Sequence, residues 1–136
     1  MNMLQLSLAG GGAHREVSKI LQDISFETAV ARATGTPHSI FELLWHVEAS
    51  QRFLLEHATG GEVDWANVAL WPSEESEAEF RRVLRDFQVG QAQAQMLAEA
   101  PSDRARDALT DLAVHNAYHL GQIVLLRRLH GDWTAS

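Results

Sequence analysis

The chain is predicted to fold as an all-α, antiparallel four-helix bundle, from three observations. Apolar residues recur at helical spacing in four separate segments, no alternating strand pattern bounded by hairpin turns occurs, and most breaks between segments are short. A single domain over residues 1–136 is expected, since a chain of this length buries enough surface to hold itself together without a metal or disulfide.

Taken in order, Met1 to Ala13 mixes Leu4, Leu6 and Leu8 with Gly10-Gly11-Gly12 and reads as an N-terminal arm, because three glycines are too flexible to begin a helix. From His14 to Ala33, Val17, Ile20, Leu21, Ile24 and Ala31 predict a first helix, broken by Thr34-Gly35-Thr36-Pro37-His38. Ser39 or Thr36 then caps a second helix to about Ala58, with Ile40, Leu43, Leu44, Val47, Phe53 and Leu54 on its apolar face and Gly60-Gly61 at its end. Residues 60–73 carry Trp65, Trp71 and Pro72 without periodicity, so a long connection is expected there, covering one end of the bundle. Ser73 and the acids Glu74, Glu75 and Glu77 start a third helix that runs through Phe80, Val83, Leu84, Phe87, Met96 and Leu97 to about Ala100. Pro101-Ser102-Asp103 interrupts it, and a fourth helix is clearest from Asp107 to Leu129, ending at His130-Gly131.

Composition excludes several functions. The formal charge of −7, with 11 Lys and Arg scattered among acids, disfavours nucleic acid. No apolar run approaches a bilayer span and the N-terminus lacks a signal-peptide pattern, so a soluble, cytoplasmic protein is expected, with no membrane partner. The chain has no cysteine, which removes disulfides, thiolate metal sites and an internal thiol nucleophile. Gly-x-Ser-x-Gly, Walker and His-Glu-x-x-His patterns are all absent.

Chemistry concentrates in two stretches. His115 and His119 lie four residues apart, which stacks two imidazoles on one helical face within reach of one ion. His46 sits amid apolar residues in Glu42-Leu43-Leu44-Trp45-His46-Val47, where an imidazole without a partner is costly. Facing helices of a bundle are where such ligands converge. Three neutral histidines suit zinc, nickel, copper or iron(II) and leave positions open for water or substrate. By spacing alone such a pair is more often solvent-facing or singly hydrogen-bonded than metal-bound. Asp111, one turn before His115, is either a ligand, an acceptor for a ring N–H or a solvated acid; Glu42 is either a helix-start charge or such an acceptor. Tyr118, Gln122 and Asn116 are open between site and ordinary helix roles, and His14, His38, His57 and His130 fall at helix ends as surface or capping residues. Trp45, Trp65, Trp71 and Trp133 either border a small apolar pocket or serve packing and dimer contacts. The apolar face of the first helix is the next partner surface suspected.

Ser39-Ile40-Phe41-Glu42-Leu43-Leu44-Trp45-His46-Val47 and His115-Asn116-Ala117-Tyr118-His119-Leu120-Gly121-Gln122-Ile123 together resemble the two signature stretches of the DinB-like (YfiT-like) metalloprotein superfamily. The resemblance extends over essentially the whole chain in helix order and in the spacing of the single His from the pair. It implies a four-helix bundle, often a homodimer, with one divalent ion held by His46, His115 and His119. Relatives in that superfamily include transferases and isomerases using bacillithiol, mycothiol or glutathione, and metal-dependent hydrolases. The expected activity is therefore a metal-dependent transferase in which zinc or nickel activates a low-molecular-weight thiol for attack on a small-molecule electrophile. Because the chain lacks cysteine, that thiol arrives as a cosubstrate. Hydrolysis by metal-bound water and a non-catalytic metal-binding, dimerising stress-response module are the alternatives.

Overall fold

The computed structural model describes residues 1–134, and among these the secondary structure is wholly helical. Six helices run in the order α1 (Met3–Ala9), α2 (Val17–Ile20), α3 (Phe26–Val30), α4 (Ile40–Ala58), α5 (Glu77–Glu99) and α6 (Asp103–Leu129). The three long helices arise where the sequence places them, each opened by a serine whose hydroxyl accepts a backbone N–H: Ser39 for α4, Ser76 for α5 and Ser102 for α6. Ser39 and Glu42 form a reciprocal capping box. Helix α5 thus begins four residues later than the acid-rich start at Ser73 suggests, and α6 four residues earlier than Asp107.

The N-terminal third differs from expectation. The arm read from Met1 to Ala13 contains α1, closed by an Asn2–Gln5 capping box and docked by Asn2 Nδ2 donating to the Ala98 carbonyl at 2.8 Å and Gln95 Nε2 donating to the Gln5 carbonyl at 2.7 Å. The glycines follow this helix rather than prevent it. Gly10 turns the chain at φ 80°, where a Cβ would stand 2.5 Å from the Arg15 carbonyl oxygen. The single helix expected over 14–33 is instead two short ones, α2 and α3, separated by a bend at Asp23 (φ 56°) and restarted by the Ser25 cap. Val17, Ile20, Leu21 and Ile24 are buried all the same, because helical spacing recurs on both sides of the break. Buried Arg127 of α6 secures that break, donating to the carbonyls of Ile20 (2.7 Å), Gln22 (2.8 Å) and Asp132 (3.0 Å).

Topology decides the site. Trp45 meets Glu79, Glu48 meets Arg82, and Gln51 donates to the Phe87 carbonyl, so contacts ascend together along α4 and α5 and these two helices are parallel. Helix α6 is antiparallel to α4: Leu55 and Ala58 share a cluster with Leu109 and Leu112, while Ile40 and Leu43 share another with Ile123 and Leu126. A parallel pair needs a crossover the length of the helix, and residues 59–76 supply it. The connection therefore descends beside α4 rather than covering one end: Arg104 holds the Gly61 carbonyl, Trp65 packs edge-on to Phe53, and Trp71 reaches His46. Between the two apolar clusters lies a buried polar layer of Glu48, Ser50, Gln51 and Asn116. Glu48 is paired to Arg52 and Arg82, and Gly90 leaves room for the Gln51 amide, since a Cβ there would fall 2.2 Å from its nitrogen and displace it from the Phe87 carbonyl.

Candidate metal centre

The middle of α4 and one face of α6 bring His46, His115 and His119 together, with one ligand-capable atom of each within 4.8 Å of the others. Ring centroids are 4.9 Å (46–115), 4.7 Å (46–119) and 4.5 Å (115–119) apart. His46 is buried and the pair on α6 is half-buried, so the cluster lies at the bundle surface with His46 rooted in the core.

Hydrogen bonds fix which nitrogens face inward. His46 Nδ1 lies 2.8 Å from the Leu70 carbonyl, which only accepts, so Nδ1 carries the proton and Nε2 keeps its lone pair. The Gln122 amide oxygen, 2.7 Å from His119 Nδ1, orients that ring in the same way. His115 Nδ1 is buried with no hydrogen-bond partner. His115 Nε2 stands 3.1 Å from His46 Nε2, a separation that demands a proton or a cation between two electron-rich atoms. At metal–nitrogen bonds of about 2.0–2.1 Å, a 3.1 Å separation subtends about 95–102°, between octahedral and tetrahedral angles. The donor set therefore fits one divalent ion: neutral rings, converging lone pairs, and outer partners that lock two of the three tautomers.

Electrostatics favour neutral rings too. Burial pushes His115 down to about 4, reinforced by repulsion from His119 and His46 and opposed by Asp111. Burial likewise lowers His46, against the Leu70 hydrogen bond that favours its charged form, with His119 and His38 adding repulsion. Both rings are then deprotonated at neutral pH, as ligation requires.

The surroundings separate site residues from bystanders. Trp71 lies flat on the His46 ring at 4.0 Å and 4° and also stacks with His38 at 4.1 Å and 16°. Neither the Leu70 carbonyl nor this stack is visible as a site feature in the sequence; only the placement of an aromatic in an aperiodic loop hints at it. Tyr118 sets its ring edge to His119 at 4.9 Å but is 67 % exposed. Asp111 is exposed and acts on His115 through charge alone. Glu42 serves the start of α4, accepting from the Ser39 amide and from Arg32, and is no partner of His46. Asn116 points into the core with neither side-chain polar atom partnered. His14 and His57 are engaged with Arg15 and Arg104, and His130 caps α6. The four tryptophans do not form one pocket: Trp45 donates to Glu79, Trp65 packs on Phe53, Trp133 lies beside Arg127, and Trp71 alone reaches the histidines. A groove of about 940 Å³ runs between α1 and the flank of α6 and touches none of the three histidines. No family model, curated protein or solved structure matches the chain.

Proposed function

We propose that this chain is a metal-dependent enzyme of the DinB-like type, a four-helix bundle in which α1–α3 together take the place of the fourth helix and α4 and α5 run parallel rather than in the all-antiparallel order expected from the sequence. In this reading His46, His115 and His119 hold one divalent ion, zinc or nickel. The observation that carries it is the pair of Nε2 atoms 3.1 Å apart, at least one with its lone pair turned inward by a carbonyl on its far side. When bound, such an ion lowers the pKa of a coordinated thiol or water and yields a nucleophile at neutral pH.

What the chain's own residues contribute is orientation. Leu70 and Gln122 hold two rings in the ligating tautomer, Trp71 shields one face of His46 from water, and the exposed edges of His115 and His119 leave an approach from solvent. The thiol reading is taken over hydrolysis from the resemblance; among the described residues the histidine cluster includes no carboxylate, and the nearest acid in sequence, Asp111, is exposed.

The test is elemental analysis of protein purified without a nickel column or chelator, beside His115→Ala. About one transition-metal ion per chain, lost in the variant, is expected; no metal after reconstitution with zinc, nickel and manganese overturns the reading. Turnover of an electrophile that requires added thiol then separates transfer from hydrolysis.

A further inference from the structure

We propose that the flank of α6 turned away from the histidines binds a fatty acid anion, its tail lying between α1 and α6 and its carboxylate in a cationic cleft near the C-terminal end of α6. The groove of about 940 Å³ between α1 and α6 is lined chiefly by apolar side chains, among them Leu4, Leu6, Pro101, Val114 and Ala117. A cleft of about 620 Å³ adjoins it, sharing Ala13, His14 and Ala117. Met3 and Val114 on the walls of the groove are 72 % and 65 % exposed, so this apolar surface lies uncovered in the single chain. The face of residues 14–33 suspected from the sequence is by contrast turned inward, with Val17, Ile20, Leu21 and Ile24 buried.

Charge orients the occupant. The chain carries a formal charge of −7, yet Arg15, Arg128 and His14 line the cleft against a single carboxylate, Glu16. Arg128 is exposed and makes no ion pair among the described residues. Trp133 borders the same cleft, its indole N–H buried and without an acceptor among the described residues. At the far end of the groove Arg106 is already paired with Asp103, and Glu99 adds negative charge. The carboxylate therefore belongs at the Arg128 end and the tail along α1.

Gly121 supplies an independent observation. Glycine in a helix interior is destabilising relative to alanine. A Cβ at Gly121 would meet nothing within 4 Å, so no neighbour in this chain requires its absence, and the bare backbone leaves the cleft it lines open. From Arg106 to Ala117 the groove follows α6 for about 17 Å, room for an extended chain of about a dozen carbons. Apolar walls with a few convergent polar groups at one end are the usual form of a small-molecule site. Ala117, Gly121, Val124 and Arg128 lie on the side of α6 turned away from His115 and His119, and neither hollow touches His46, His115 or His119. The site is independent of whether the histidines hold metal.

Displacement of a dansyl-labelled undecanoate from the full chain, read by fluorescence, tests it, with unlabelled competitors kept below the concentrations at which they form micelles. Dodecanoate is expected to bind at one molecule per chain, with dodecanol and butanoate each at least about tenfold weaker, because one lacks the charge and the other the tail. Arg128→Glu should weaken dodecanoate by about tenfold and leave dodecanol unchanged. Val114→Asp should weaken both, and Gly121→Leu, which fills the cleft, should weaken dodecanoate. His115→Ala should bind dodecanoate as wild type does, and circular dichroism confirms that helix content is unchanged in each variant. No displacement by dodecanoate, dodecanol binding as tightly, or an affinity indifferent to Arg128→Glu or Val114→Asp overturns the proposal. So does loss of binding in His115→Ala, which would place the carboxylate at the histidines, or loss of binding as the chain concentration rises, which would show a second copy filling the groove.

Discussion

Lowering pH should destabilise the metal-free protein through His115 in particular. Its ring titrates near 6.5 in the unfolded chain and is pushed down to about 4 by burial in the folded one. Between those values the unfolded chain binds a proton that the folded chain refuses, so stability falls as pH is lowered through this window and levels off below about 4. The fall from 6.5 to about 4 is equivalent to about 3.4 kcal/mol. The ring is only half-buried, and solvent screening reduces the expected loss to about 1–2 kcal/mol. Urea unfolding of the metal-free chain from pH 7.5 to 4, with His115→Gln measured alongside, isolates the contribution, because glutamine cannot titrate and the other acids and histidines are common to both. Wild type should lose about 1–2 kcal/mol more than the variant over this range. Parallel pH curves for the two would refute the burial argument, and a wild type that gains stability on acidification would reverse its sign.

Two further outcomes follow from side chains at and away from the site. Trp71→Ala should weaken zinc binding by about tenfold, since it removes the face that holds His46 and loosens the neighbouring Leu70 carbonyl. Competition with a chromophoric chelator reads this, Trp71→Phe should retain most of the affinity, and nitrogen NMR of the His46 ring should show mixed tautomers only in the alanine variant. Unchanged zinc affinity would reduce Trp71 to packing. Arg127→Met should cost about 3 kcal/mol, because it strands carbonyls of Ile20 and Gln22 in a buried setting. A urea midpoint within experimental error of wild type would show that solvent reaches these carbonyls.

What could be read from the sequence was local or periodic. Helix α4, α5 and α6 announce themselves because apolar residues at helical spacing and serine caps are properties of neighbouring residues. The juxtaposition of His115 and His119 is equally local, fixed by the pitch of one helix. The N-terminal third was misread where local signals compete: triple glycine ends α1 instead of forbidding it, and a bend at Asp23 splits one expected helix while leaving its apolar pattern intact.

The tertiary structure alone decided how His46 meets the pair, and why. Helical periodicity is blind to helix direction, so nothing in the chain's spacing shows that α4 and α5 run parallel. That choice forces residues 59–76 along the side of α4 and brings Leu70 and Trp71 onto His46. Gln122 lay within sequence reach of His119, but only the rotamers of the two side chains determine that the amide oxygen accepts a hydrogen bond from Nδ1–H and leaves Nε2 inward. The sequence by itself determined which residues have metal-ligating chemistry and on which helical face they stand, because both depend on residues a few positions apart. Their convergence, their tautomers and the neutral state of His115 were decided by packing between distant segments, because burial and hydrogen bonding are properties of what surrounds a ring and not of its place in the chain.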